Sequence, residues 1–153
     1  MEIGFRKAQA EDLAFARNLY FETMRWMIER LFGWDQAREE AYFIGFFRLD
    51  EVRIITVDNR DVGWIQERLE GTSIDLGSLY VIPAMQRQGI GTQVLQMLLA
   101  RARSQSKTIT LAVVKINPAL QLYARHGFRI THEDAYKFYM RADPRFPDKR
   151  TVG

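Results

Sequence analysis

Hydrophobic positions recur along the chain with two different periods. Ile3 and Phe5 alternate with polar neighbours, which predicts a short strand, and Leu13, Ala16, Tyr20, Met24, Met27 and Leu31 then recur at helical spacing. An amphipathic helix from about Glu11 to Leu31 follows from that stripe. Phe32-Gly33-Trp34-Asp35 reads as a turn, with Asp35 placed to cap a second helix through the Glu39-Glu40 region. Val52 to Val57 and Val62 to Leu69 predict two strands joined by Asp58-Asn59-Arg60-Asp61, a hairpin with a slightly long turn.

Beyond the hairpin the pattern changes character. Ile74 to Val81 reads as a strand, and Gly89 to about Arg103 as a helix with Ile90, Val94, Met97 and Leu98 on one stripe. Ile109 to Val114 is a nearly unbroken apolar run, as expected of a parallel strand covered on both faces. Strand, helix and strand make a βαβ unit with a right-handed crossover. A short helix is predicted next, with Asn117 as its N-cap, Pro118 at its first position and Gly127 just past its end. Phe128 to Ile130 and Ala135 to Met140 fit two final strands. The resulting order, β-α-α-β-β-β-α-β-α-β-β, predicts an α/β fold built on a mixed sheet with helices on both faces.

Composition narrows the function classes. A chain of 153 residues is one domain's worth, 1–153, and it shows no internal repeat. With no cysteine, disulfides, thiolate metal sites and cysteine nucleophiles are excluded. The formal charge of +3 is local: from Lys137 onward five basic residues (Lys137, Arg141, Arg145, Lys149, Arg150) face two acidic ones (Asp143, Asp148). The first 136 residues balance at 17 of each sign. A basic tail over 143–153 on a neutral body is a weak nucleic-acid footprint, because that function needs cations clustered on a folded face. The longest apolar run, Ala41 to Phe47, is about a third of a membrane span, and the N-terminus carries no signal-peptide pattern. No membrane association and a cytoplasmic location are the expectations.

The segment richest in chemistry is Val81-Ile82-Pro83-Ala84-Met85-Gln86-Arg87-Gln88-Gly89-Ile90-Gly91-Thr92, which leaves a strand and opens a helix. Glycines let backbone approach a ligand, and a helix N-terminus offers unpaired N–H groups to an anion such as a pyrophosphate. It is not a Walker loop, since no Lys-Ser or Lys-Thr follows the second glycine, and Val94 stands where a dinucleotide fingerprint needs its third. The plain alternative is a glycine turn that merely starts a helix.

The loop resembles the acyl-CoA loop of the GNAT superfamily of N-acetyltransferases, Gln or Arg, two residues, Gly, one residue, then Gly or Ala, here Gln86, Gly89 and Gly91 after Leu79-Tyr80-Val81-Ile82-Pro83. A second segment, Asn117-Pro118-Ala119-Leu120-Gln121-Leu122-Tyr123-Ala124-Arg125-His126-Gly127-Phe128, is similar to the family's next motif of Asn, a small residue, Leu-Tyr, then Gly-Phe. The resemblance is sharp over 74–130 and only topological before that. One departure is Arg87, where relatives often carry Gly or a small residue. The resemblance implies the GNAT fold, a central mixed and largely antiparallel sheet with two splayed parallel strands and helices on both faces. It also implies acetyl-CoA as co-substrate and an amine as acceptor. Backbone N–H groups of Arg87, Gln88, Gly89, Ile90, Gly91 and Thr92 would hold the pyrophosphate, with Gln86 in the same loop. Leu79, Tyr80, Val81 and Asn117 would line the pantetheine arm. A homodimer is a further expectation from similar proteins.

Acyl transfer from a thioester to an amine needs a neutral amine, a donor for the developing oxyanion and a proton for the thiolate. The resemblance gives the last role to Tyr123, protonated at neutral pH with an ordinary pKa of about 10. Tyr123 also lies on a stripe with Ala119, Leu122 and His126, as a core residue would. A backbone N–H near Val81 is the natural oxyanion donor. Family bases are often a strand Glu, and of Glu67, Glu70 and Asp75 the first falls within the predicted Gly63-Trp64-Ile65-Gln66-Glu67 strand; a solvated strand carboxylate is the plainer reading of it. His126 and His132 read as surface histidines, and no metal is expected. Without cysteine, direct transfer in a ternary complex is the simplest scheme.

Acceptor specificity is expected from 20–47, which holds nine of the chain's 19 aromatics, most of them core. Trp34, beside a glycine turn, is the residue expected to face substrate. Two other functions are open at this point: a non-catalytic acyl-CoA-binding module of the same fold, and a nucleic-acid binder using the tail from Arg145 to Arg150.

Overall fold

A computed structural model describes residues 1–144, so the tail from Arg145 to Arg150 lies outside the described residues. Seven strands, β1 (Ile3–Lys7), β2 (Val52–Val57), β3 (Arg60–Glu70), β4 (Ser73–Val81), β5 (Thr108–Val114), β6 (Arg129–Glu133) and β7 (Lys137–Ala142), form a mixed sheet in the order β1-β2-β3-β4-β5-β7-β6. Four helices, α1 (Leu13–Phe32), α2 (Gln36–Phe46), α3 (Ile90–Ser104) and α4 (Ala119–Arg125), complete the expected order of elements. The chain forms two compact units, one of Met1–Gln66 with Ser78–Gly91, the other of Glu67–Gly77 with the described residues from Thr92 on.

In the first unit β1 pairs antiparallel with β2, and β2 with β3. Asp35 caps α2 as expected, its carboxylate accepting from the Arg38 N–H at 3.1 Å. The β2–β3 turn is tighter than the sequence suggested. Val57 pairs with Arg60, so only Asp58 and Asn59 form the turn, at φ +50° and +68°. Left-handed backbone at both central residues matches the right-handed twist of a hairpin, and Asp and Asn tolerate it. The core gathers Ala16, Leu19, Tyr20, Phe43, Val52, Ile54 and Trp64, all nearly inaccessible. Most of the aromatics of 20–47 therefore serve packing: Tyr20 meets the rings of Phe43, Phe46 and Tyr80 at 5.1–5.7 Å.

In the second unit β4 runs parallel to β5 only from Ser73 to Asp75, against Thr108 to Thr110. From Ile109 to Val114, β5 pairs antiparallel with β7, which also carries β6. α4 begins one position later than expected. The Asn117 carboxamide oxygen still caps it, accepting the Ala119 N–H at 2.9 Å, and Gly127 stops it at φ +90°. β6 runs to Glu133, well beyond Ile130, and all five of its residues are exposed. A strand with no buried face carries no alternation from which its length could be read.

One glycine is dictated by space. A Cβ at Gly63 on β3 would lie 2.1 Å from the backbone oxygen of Tyr80 on β4, closer than any real side chain tolerates. Beside it the Ile82 N–H donates to the Val62 carbonyl at 2.8 Å. Gly63→Ala is therefore expected to lower the unfolding free energy by roughly 2–3 kcal/mol in urea denaturation, and a loss below about 0.5 kcal/mol would mean that the two strands part freely.

Candidate active site

The loop after β4 is organised by what happens to its carbonyls. Met85 N–H donates to Ile82 O at 2.9 Å and Gln86 N–H to Pro83 O at 3.2 Å. The side-chain amides close the rest: Gln86 Nε2 reaches Val81 O at 2.9 Å and Gln88 Nε2 reaches Ala84 O at 3.2 Å. Four successive carbonyls, 81–84, are thus occupied from within the loop. The N–H groups of Arg87, Gln88 and Gly89 make no backbone hydrogen bond among the described residues outside helices and strands. Arg87 at φ +65° and Gly89 at φ +79° turn the backbone through left-handed conformation on both sides of Gln88. Such a turn gathers N–H groups into an anion-binding concavity, and α3 starts at once with further unpaired N–H groups at Ile90, Gly91 and Thr92. Donors with no carbonyl competing nearby fit a pyrophosphate, so the residues present fit acetyl-CoA.

The glycine at 89 is required by conformation rather than space, since a Cβ there would meet nothing within 4 Å. Arg87 adopts the same region with a side chain, at a cost of about 1 kcal/mol. Leu79, Tyr80 and Val81 at the end of β4 are half-buried.

Tyr123 of α4 is 8% exposed, and its ring meets Phe128 edge-on at 5.6 Å. Its phenol has no hydrogen-bond partner among the described residues. Burial, which disfavours the phenolate, pushes its pKa up to about 12. Asn117, half-buried, spends its carbonyl oxygen on capping α4.

The carboxylates are committed elsewhere. Glu67 at the far part of β3 is ion-paired with Arg101 of α3, its side chain only 10% exposed. Asp75 accepts from the Thr110 hydroxyl at 3.3 Å, and Glu70 is exposed. Trp34 is half-buried, with its indole N–H donated to Gln36 at 3.0 Å, Phe21 edge-on at 5.4 Å and the Arg25 guanidinium 4.5 Å from its ring. His126 is half-buried and His132, which stacks on Tyr139 at 4.3 Å, is exposed. No group of three or more metal-ligating side chains occurs among the described residues, and no helix among them is long and apolar enough to cross a membrane.

Sequence reasoning missed two features. The Glu67–Arg101 pair left no trace, because residues 34 positions apart share no local pattern. The Gly63 contact had a trace: a glycine inside a predicted strand marks close backbone approach.

The model of the GNAT acetyltransferase domain matches residues 45–130, more than half of the 153. The chain belongs to the GNAT acetyltransferase family. The matched span contains the loop, α3, β5 and α4, which carry both motifs. This GNAT chain is similar to the PaiA N-acetyltransferase of Thermoplasma acidophilum, solved with coenzyme A, at 18% identity over 94% of this chain and 99% of that one, TM-score 0.75. It is similar also to the ribosomal-protein-S18-alanine N-acetyltransferase of Escherichia coli, at 17% identity over 97% of each chain, TM-score 0.67. Ard1 of Thermoplasma volcanium matches at 18% identity over 94% of this chain and 98% of that one, TM-score 0.65. At these identities the likeness shows the fold. No curated protein sequence matches significantly.

Tyr123 offers a pH test. Its phenol is neutral in the fold, so this contribution to stability is complete below about pH 10 and declines as pH rises from about 10 to about 12, where the unfolded chain ionises first. Phenolate absorbance during alkaline titration, wild type minus Tyr123→Phe, should show one tyrosine ionising near pH 12; ionisation near 10 would mean the phenol is not buried.

Proposed function

We propose that this GNAT acetyltransferase moves an acetyl group from acetyl-CoA to a primary amine of a small molecule or protein, by direct transfer in a ternary complex. The observation that carries this reading is the loop of 81–92, whose carbonyls are tied back and whose N–H groups are left as donors. Acetyl-CoA supplies an activated thioester, and the chain supplies binding, orientation and protons. Arg87, Gln88, Gly89, Ile90, Gly91 and Thr92 give backbone N–H groups to the pyrophosphate, with Gln86 holding the loop. Leu79, Tyr80, Val81 and Asn117 line the pantetheine arm, and the Val81 N–H donates to the acetyl carbonyl oxygen. As the C–N bond forms and the C–S bond breaks, Tyr123 gives its phenolic proton to the departing sulfur, and the proton shed by the acylated nitrogen restores the phenol. Its hydroxyl has no hydrogen-bond partner among the described residues, so its proton is free to be donated, and burial keeps the phenol protonated.

Glu67 was the carboxylate favoured from the strand pattern as base. Its carboxylate is engaged by Arg101, so in this proposal the amine arrives neutral and Glu67 steadies α3. Trp34, already held by Phe21, Arg25 and Gln36, forms part of the acceptor wall by its exposed edge.

The experiment is thiol release from acetyl-CoA across a panel of amines, with acetyl-CoA affinity measured separately. Tyr123→Phe should lower kcat by about 100-fold and leave acetyl-CoA affinity within about twofold. Glu67→Gln should lose roughly 1 kcal/mol of stability and keep the wild-type pH profile of kcat/KM. Full turnover in Tyr123→Phe would remove the acid role. A folded Glu67→Gln protein with a collapsed pH profile would put the amine's proton on Glu67, and amine-independent behaviour throughout would leave only an acyl-CoA-binding module.

A further inference from the structure

The second unit contains a small open cleft of about 70 Å³, apart from the residues to which the proposed acetyl transfer is assigned. It lies where the last turns of α3, the start of β5, the turn after α4 and the end of β7 meet. Its floor is apolar: Leu99, Ala102 and Ile109 are 8%, 2% and 1% exposed. Its rim is basic, with Arg103 exposed and Lys107 and His126 half-buried. Neither Arg103 nor Lys107 has a carboxylate partner among the described residues. The acidic group on the lining, Asp143, is engaged by Arg141 at 3.3 Å, and His126 Nδ1 is engaged by the Leu122 carbonyl at 2.7 Å.

Lys107 is half-buried beside this apolar floor, and no carboxylate among the described residues pairs with its ammonium. We propose that this cleft is a binding site for a carboxylate carried on an apolar body. The Lys107 ammonium and the Arg103 fork suit a carboxylate head, and the floor suits the first carbons of an alkyl chain whose end leaves the open cleft. A bare inorganic anion would leave the floor unused, and an uncharged lipid would leave both cations unpaired. The cleft borders the turn that closes α4: the His126 and Phe128 N–H groups both donate to the Tyr123 carbonyl, at 3.0 and 3.2 Å. A bound carboxylate therefore rests against the end of the helix that carries Tyr123.

The test uses the full chain and reads binding, so it stands apart from any result on acetyl transfer. Octanoate is titrated by calorimetry and by backbone amide NMR, with acetate as the head alone and 1-octanol as the tail alone. Octanoate should bind once per chain, shifting the Lys107 and Gly127 amides, with acetate and 1-octanol each at least about tenfold weaker. Lys107→Gln and Arg103→Gln, surface changes that should leave the melting temperature unaltered, should each weaken octanoate by about tenfold and leave 1-octanol unchanged. Octanoate binding no tighter than acetate, equal octanoate binding in the Lys107→Gln/Arg103→Gln double variant, or amide shifts confined to residues outside the cleft would overturn the proposal.

Discussion

The backbone oxygen of Tyr80 occupies the space that any side chain at residue 63 would need. This contact fixes the end of β4 against β3, and the Ile82 N–H to Val62 carbonyl bond locks the next residue in turn. Everything in the loop hangs from that point. Gln86 reaches back to the Val81 carbonyl, and the Met85 and Gln86 N–H groups close on Ile82 and Pro83. If β4 ended differently, the loop would lose the carbonyls that anchor it. A single missing methyl group on β3 thus governs where the donors of 87–92 point.

In the proposed site, the loop would let a neutral body serve a polyanionic co-substrate. Its attraction is local: carbonyl dipoles are neutralised by partners within the loop, and N–H dipoles remain. The field of such a group falls off within a turn, so it leaves no mark on net charge. Arg87 adds the one charged side chain, at a position whose left-handed backbone would suit glycine better. Tyr123 rests on the opposite physics. Removal from water keeps its proton in place, where the loop depends on donors that still face solvent.

Hydrophobic spacing, the unbroken apolar run of β5 and the capping residues of α4 together revealed the four α-helices and seven strands in order. The tight turn at Asp58-Asn59 escaped because its signal lies in backbone angles rather than in polarity. The end of β6 escaped because its residues are exposed on both faces. The loop of 81–92 was legible as a strand-to-helix turn: Gly89 and Gln86 have short-range reasons, a left-handed φ and a bond five residues back. Glu67 was found as a strand residue, but its engagement by Arg101 depends on tertiary packing that no local pattern encodes. Trp34 was legible as a residue beside a glycine turn, while the edge-on Phe21 ring and the Arg25 guanidinium that hold it were not.

The central claim is that backbone amides of 87–92 hold the pyrophosphate of acetyl-CoA. Amide NMR during a titration with acetyl-CoA tests it directly. Large, saturating shifts of Arg87, Gln88, Gly89, Ile90, Gly91 and Thr92, reproduced by CoA alone and absent with acetate, are the predicted result. Saturable acetyl-CoA binding that leaves those six amides unmoved would contradict the account.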